Sequence, residues 1–288
     1  MRYTVGCRLA YAVETETVFI FNLEVARLER HRDLQETFRV TPDLPVRRLV
    51  APVTGNRYAA VTVPPGAFSL DYEARVTLDP HRADPAGIGE TPVKDLPLDI
   101  LPYLLPSRFV SSDRLTPFAQ AEFGDAAPGF ERVSRICNWI HDHIAYVRGA
   151  SDEETTADET LLKRAGVCRD FAHLGAAFCR ALGIPARFVS CYAYGLVPCD
   201  FHAVFEAYLD GRWWLFDATR QANLDGLVRI GVGRDAAEIA FATPFGEMRP
   251  TGMEIRIDRV DGAPETGERT VAAISTAEAG PDAADGLR

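Results

Sequence analysis

Residues 201–217, Phe-His-Ala-Val-Phe-Glu-Ala-Tyr-Leu, Asp-Gly, then Arg-Trp-Trp-Leu-Phe-Asp, constrain the fold more than any other stretch of this chain. Two β-rich runs joined by Asp210-Gly211 predict a hairpin closed by a type I′ turn, in which both central residues take positive φ. A two-residue loop fixes the register: Leu209 opposes Arg212 and Val204 opposes Asp217. Cross-strand partners point to one side, as do residues two apart on a strand. His202 and Asp217 are then diagonal neighbours, roughly 7–8 Å apart at the backbone and within reach of each other's side chains. A carboxylate so placed can hold an imidazole in one tautomer. Glu206 shares that face and reads as an exposed strand carboxylate before it reads as part of a groove. Trp213 and Trp214 point to opposite sides, so at least one supports the core.

An imidazole held by a carboxylate calls for a nucleophile, and the stretch Gly166-Val-Cys168-Arg-Asp-Phe-Ala-His-Leu174 supplies one. Cys168 opens an amphipathic run in which Phe171, Leu174, Gly175, Phe178 and Leu182 recur at helical spacing. Gly183 and Pro185 end it. A cysteine in the first helical turn sits among unpaired N–H groups at the positive end of the dipole, which favours the thiolate. Its backbone N–H is also a natural donor to the oxyanion of a tetrahedral intermediate. Cys168, His202 and Asp217 thus read as nucleophile, base and orienter. His173 lies about 140° around the helix from Cys168 and reads as a packing or hydrogen-bonding residue. His141 and His143 are two apart on a helix and diverge, which argues against a metal pair.

Three motifs, Gly166-Val-Cys168-Arg-Asp170, Asp200-Phe-His202-Ala and Trp214-Leu-Phe-Asp217-Ala-Thr219, stand in this order with Cys168, His202 and Asp217 spaced 34 and 15 residues apart. Together they resemble the transglutaminase-like superfamily of bacterial proteins, most clearly over 156–220 and extending over about 98–250. The resemblance implies a papain-like α+β core with a Cys-His-Asp triad, in a family of protein cross-linkers, peptidases and proteins of unassigned substrate. It also implies a second oxyanion donor from an upstream side chain, for which Trp139 and Tyr146 are both candidates. Val204 departs from the pattern, standing where many relatives have Trp, and this bears on the shape of the neighbouring groove. Arg169 and Asp170 belong to the motif without a role the residues alone define.

The rest of the chain divides by period. To about Leu78 the period is two: Tyr3, Val5, Cys7, Leu9, Tyr11 and Val13 alternate with small or polar residues. Phe19, Phe21, Leu23 and Val25 follow suit, and then every even position from Phe68 to Leu78. Thr54-Gly-Asn56 and Pro64-Pro-Gly66 punctuate these runs, so residues 1–95 are expected to form an all-β, sandwich-like domain. A Pro- and Gly-broken linker over 79–92 precedes a catalytic domain over 96–260, where helices come first and the strands of base and acid follow. Ser112 precedes one helix and Gly129 opens a longer one with Phe130, Val133, Ile136, Cys137, Ile140 and Ile144 along a stripe. Thr156-Ala-Asp-Glu159 reads as a capping box. Ala186–Tyr194 is expected as a strand, 219–233 as an irregular stretch bordering the site, Met253, Ile255 and Ile257 as a last strand, and 261–288 as a tail with few apolar anchors.

The formal charge of −10, from 31 basic and 41 acidic residues, argues against a nucleic-acid partner. Only Lys94 and Lys163 are lysines, and the arginines form no basic block. No run reaches ~18 uninterrupted apolar residues, and the start lacks the apolar core of a signal sequence, so no membrane association is expected and the location is expected to be cytoplasmic. Six cysteines are too few for a disulfide scaffold, and Cys179, Cys191 and Cys199 lack zinc-knuckle spacing. The expectation is an acyl-transfer enzyme without metal or organic cofactor, acting on a peptide or protein amide and favouring hydrolysis over transfer to an amine. The alternative is a non-catalytic binding or scaffold protein that retains the fold.

Overall fold

The computed structural model describes residues 1–262 and 270–277. Seven strands come first: β1 (Arg2–Val13), β2 (Thr17–Phe21), β3 (His31–Thr41), β4 (Val46–Val50), β5 (Arg57–Val63), β6 (Gly66–Leu78) and β7 (His81–Ala83). Helices α1 (Ser112–Phe123) and α2 (Phe130–His143), the short β8 (Ala145–Tyr146), α3 (Ala157–Lys163), β9 (Ala165–Gly166) and α4 (Cys168–Ala181) follow. Then come β10 (Ala186–Ala193), β11 (Phe201–Leu209), β12 (Arg212–Phe216), β13 (Leu227–Gly233), β14 (Ala242–Phe245), β15 (Met248–Arg259) and β16 (Ala273–Ser275).

The period-two runs become strands of two antiparallel sheets, ordered β15-β1-β6-β3 and β14-β2-β5-β4. Their inward side chains make one core from Tyr3, Val5, Leu9, Phe19, Phe21, Val61, Phe68 and Tyr72. The alternation of β1 and β6 thus records one face turned to a partner sheet and one turned outward. Phe19, Phe21 and Phe68 stack within it at centroid distances of 5.3 to 6.3 Å.

This sandwich is completed from the far end of the chain. β14 pairs with β2 and β15 with β1 over nearly its whole length. The expected divisions 1–95 and 96–260 therefore need correction: residues 242–259 belong to the N-terminal sheets. Met253, Ile255 and Ile257 do form a strand, but its partner is β1. A sequence pattern shows that a strand exists and not which edge it joins.

The second layer system carries the site. A sheet ordered β12-β11-β10-β13 packs under α4, with Phe171, Leu174 and Phe178 of the helix in one core with Phe188, Phe205, Trp214 and Phe216. The β11–β12 hairpin has the expected register, Leu209 opposite Arg212 and Phe205 opposite Phe216. Asp210 and Gly211 take φ of 49° and 74°, as a two-residue type I′ turn requires. Trp213 and Trp214 enter different cores, and both are buried. The Val133, Ile136, Cys137 and Ile140 stripe of α2 is buried as its spacing implied. The expected capping box opens α3, with Thr156 N–H donating to Glu159 Oε2 at 2.9 Å.

Two further expectations change. Residues 227–233, expected to be irregular, form β13, which pairs with β10 and is buried throughout. A strand buried on both faces shows no alternation, and its glycines mark close approach. At Gly231 the Asn22 and Asn56 side-chain oxygens stand 2.8 and 2.9 Å from where a Cβ would sit. Within the expected tail over 261–288, Ala273, Ile274 and Ser275 are fully buried and pair with β7, itself inside the expected linker. Residues 263–269 and 278–288 of that tail lie outside the described residues.

Candidate active site

Cys168 is the first residue of α4 and is half-buried at the floor of a cleft. Asp170 fixes the helix start: its carboxylate, with the residue fully buried, accepts from Val167 N–H at 2.8 Å, from Ser151 Oγ and from Arg169 Nε at 3.3 Å. A carboxylate in the first turn satisfies an orphan donor and meets the positive end of the dipole. The motif residue Asp170 thus anchors the turn that presents the thiol, and Arg169 ties that turn to the carbonyl of Asp152.

His202, at the head of β11, is 2% exposed. Its Nε2 lies 3.0 Å from Asp217 Oδ2, just past the end of β12. Asp217 Oδ1 in turn accepts from Thr219 N–H at 2.9 Å and Thr219 Oγ1 at 2.7 Å, so the carboxylate is itself held. Nδ1 of His202 is buried away from Asp217, and the Cys168 thiol lies close enough to the ring to bear on its charge. Burial alone would lower the imidazole pKa, but the Asp217 charge and hydrogen bond, together with Cys168, lift it to about 10. For Asp217, burial pushes upward and is outweighed by His202 and Thr219, which hold the carboxyl below its ordinary range. The geometry brings the His202 ring to both the Asp217 carboxylate and the Cys168 thiol.

The parallel pairing of β8 with β9 sets Tyr146 opposite Gly166, two residues before the thiol. The Tyr146 hydroxyl is within hydrogen-bond reach of both the backbone N–H and the sulfur of Cys168. Burial foremost, then the thiol's charge, pushes this phenol up to about 12, so it remains a donor at neutral pH. Trp139, the other candidate, stacks on His143 at 4.4 Å and packs edge-on against Phe118 and Phe178. No sequence motif distinguishes the two; only the β8–β9 ladder does.

The remaining residues that the sequence brought forward stand away from the reacting atoms. His173 is fully buried between the rings of Phe109 and Phe188, its Nε2 accepting from Ala236 N–H at 3.1 Å. Burial pushes its pKa down to about 3, so it is a neutral packing residue. Glu206 is not an exposed strand carboxylate: it is fully buried, paired with Arg187 Nε at 2.6 Å and with the Arg229 guanidinium. Val204 packs with Val189, Cys191 and Leu215 in a separate small core and does not line the cleft. Among the described residues, no group of three or more His, Cys, Asp or Glu side chains is placed to hold a metal ion.

Two large cavities flank the site. One, about 670 Å³, includes Cys168 and His202 in its lining. The other, about 790 Å³, touches Asp217 and Arg220 but neither the thiol nor the imidazole. Only the smaller of the two is lined by both the sulfur and the imidazole, which makes it the candidate substrate cleft.

A core helix headed by cysteine, over a sheet whose hairpin joins histidine to aspartate, defines a papain-like thiol fold. Residues 117–218 match the transglutaminase-like superfamily and residues 1–88 match the bacterial transglutaminase N-terminal domain. A structure from Cytophaga hutchinsonii, described as a candidate cysteine protease, is 39% identical and superposes with a TM-score of 0.90, covering 96% of this chain and 97% of its own. The chain belongs to the transglutaminase-like superfamily. An uncharacterized protein of Mycobacterium leprae is 32% identical over 117 residues, 38% of this chain and 42% of the relative. An uncharacterized Mycobacterium tuberculosis protein is 30% identical over 207 residues, 65% of this chain and 62% of the relative. The chain thus spans 42% and 62% of these two relatives' lengths.

Proposed function

We propose that the protein is a cysteine-dependent acyl-transfer enzyme acting on an amide bond of a peptide or protein, with Cys168, His202 and Asp217 as its triad. The observation that carries this reading is the buried His202–Asp217 hydrogen bond at 3.0 Å, with the Cys168 thiol close enough to bear on the charge of the ring. In the proposed reaction the Cys168 sulfur attacks the amide carbonyl carbon, and negative charge collects on the carbonyl oxygen. The Cys168 N–H and the Tyr146 hydroxyl donate to that oxyanion. His202 gives its proton to the leaving nitrogen as the C–N bond breaks, leaving a thioester on Cys168. Water then attacks the thioester, with His202 taking its proton, and the acid departs as the thiol is restored. An amine in place of water would give transfer. Hydrolysis is favoured because water is always present, whereas transfer needs an amine site that no motif of this chain declares.

A cytoplasmic location is proposed with it, since six unpaired cysteines suit a reducing compartment. The Cytophaga hutchinsonii relative's description as a candidate cysteine protease supports the hydrolytic side of this reading. Incubation with peptide substrates, with and without a small primary amine, followed by product mass analysis tests it. Acid products that persist in the presence of amine support hydrolysis, and amide products support transfer. Absence of any product dependent on Cys168 favours the alternative, a binding or scaffold protein.

A further inference from the structure

The cleft at Cys168 has a composition that the chemistry of the triad does not require. Seven large apolar side chains line it: Phe109, Phe188, Phe201, Ile230, Ile239, Phe241 and Met253. Phe188, Ile230 and Ile239 are nearly wholly buried and form its floor. Phe241 and Met253 are 37% and 53% exposed, apolar groups at the mouth with one side still facing solvent. Phe241 stacks on Phe201 at 4.9 Å, which fixes its ring as a wall.

The charged residues of the cleft do not select one sign. Arg108 and Arg169 face it together with Glu153, Glu154 and Asp200. Both guanidiniums lie over the Phe109 ring, at 5.0 and 5.8 Å, and Arg169 is also paired with Asp170. A charged substrate group on the apolar floor would lose its hydration without gaining a dedicated partner, and an unpaired charge in such surroundings is strongly disfavoured.

The outer wall comes from the far end of the chain, carried on the N-terminal sandwich. Asn22 N–H donates to the Phe241 carbonyl at 3.1 Å. Thr243 of β14 pairs with Ile20 of β2, and Met253 of β15 pairs with Leu9 of β1. The sheets that contribute no reacting group therefore hold one side of the cleft.

We propose that this cavity receives a bulky uncharged side chain, aromatic or large aliphatic, adjacent to the amide bond that is cut, and that the sandwich-borne Phe241 and Met253 form the wall that selects it. The proposal rests on the acyl-transfer reading and names its substrate class. A volume of about 670 Å³ accommodates one such side chain with the neighbouring backbone.

The test uses internally quenched peptides identical except for the residues flanking the central amide, which are Phe, Leu, Gly or Asp. The full chain is compared with its Phe241→Ala and Met253→Glu variants, and iodoacetamide alkylation of Cys168 serves as the control. The Phe and Leu peptides are expected to exceed the Gly and Asp peptides by about tenfold or more in kcat/KM. Both variants are expected to lose about tenfold on the apolar peptides while Cys168 alkylates at an unchanged rate. Equal turnover of all four peptides, or an apolar preference unmoved in both variants, overturns the pocket assignment alone. If iodoacetamide modifies Cys168 but no peptide acylates it, the acyl-transfer reading fails and the pocket assignment with it.

Discussion

His202 Nε2 and Asp217 Oδ2 meet at 3.0 Å with their side chains 0% and 3% exposed. The contact exists because a two-residue turn at Asp210-Gly211 sets the register, and a slip of one residue would send Asp217 to the opposite face. Replacing Asp217 with Asn keeps a hydrogen-bonding group of the same size but favours the wrong tautomer. Asp217→Asn is expected to retain the fold and to lose on the order of 10²–10⁴ in kcat with KM little changed. Steady-state kinetics on the variant, with its fold checked by circular dichroism, would decide. Full activity in a folded variant would remove both the role and the register argument.

The same pair governs pH dependence. The folded-state pKa of His202, about 10, lies above the ordinary imidazole value. Its stabilising contribution is therefore fully present below about pH 6.5 and is lost as pH rises through about 10. The lowered pKa of Asp217 places that carboxylate's contribution above its ordinary value near ~3.9, with loss only as pH falls through the folded one. The difference in thermal unfolding between the native chain and Asp217→Asn should be largest between about pH 5 and 6.5 and narrow as pH rises through about 10. A difference that stays constant from about pH 6.5 to above about pH 10 contradicts a charged pair.

Cys168 should be singled out by alkylation. Burial raises the pKa of the other thiols, Cys7 to about 12, Cys137, Cys179 and Cys191 strongly, and Cys199 as well. Cys168 alone combines a helix start with a neighbouring imidazole. At about pH 6.5, iodoacetamide should modify Cys168 well ahead of the other five in the native protein, as peptide mapping would show. Equal labelling of Cys168 and the exposed Cys199 would count against an activated nucleophile.

Much of the site could be read from the chain because its parts are local. The Asp-Gly turn, the helix opening at Cys168 and the alternation of β1 and β6 each follow from a few adjacent residues. What escaped depends on partners far away in sequence. β13 hides its strand character because both faces are buried, and β15 gives no sign that β1 is its neighbour. Glu206 looks like a surface carboxylate until Arg187 and Arg229 are brought to it by neighbouring strands of the sheet. Tyr146 has no motif at all, since its place depends on a two-residue parallel ladder.

That ladder makes Tyr146 testable. Tyr146→Phe removes one hydroxyl from a ring that packs against Phe171 at 5.8 Å, so the fold should be kept. Loss of one oxyanion donor is expected to lower kcat by about 10²-fold with KM nearly unchanged and with Cys168 still alkylated. Stopped-flow or steady-state rates on a single peptide substrate give the answer. A variant that turns over like the native protein would leave the second donor to some other group.

The most direct measurement is the capture of the acyl group on sulfur. The native protein is mixed with a peptide substrate, quenched in acid during turnover and digested, and the fragment carrying Cys168 is weighed. The account requires a mass increase equal to the acyl portion of the substrate, located on Cys168, released by hydroxylamine and absent in Cys168→Ala. An acyl group found on another residue, or turnover that continues in Cys168→Ala, would contradict it.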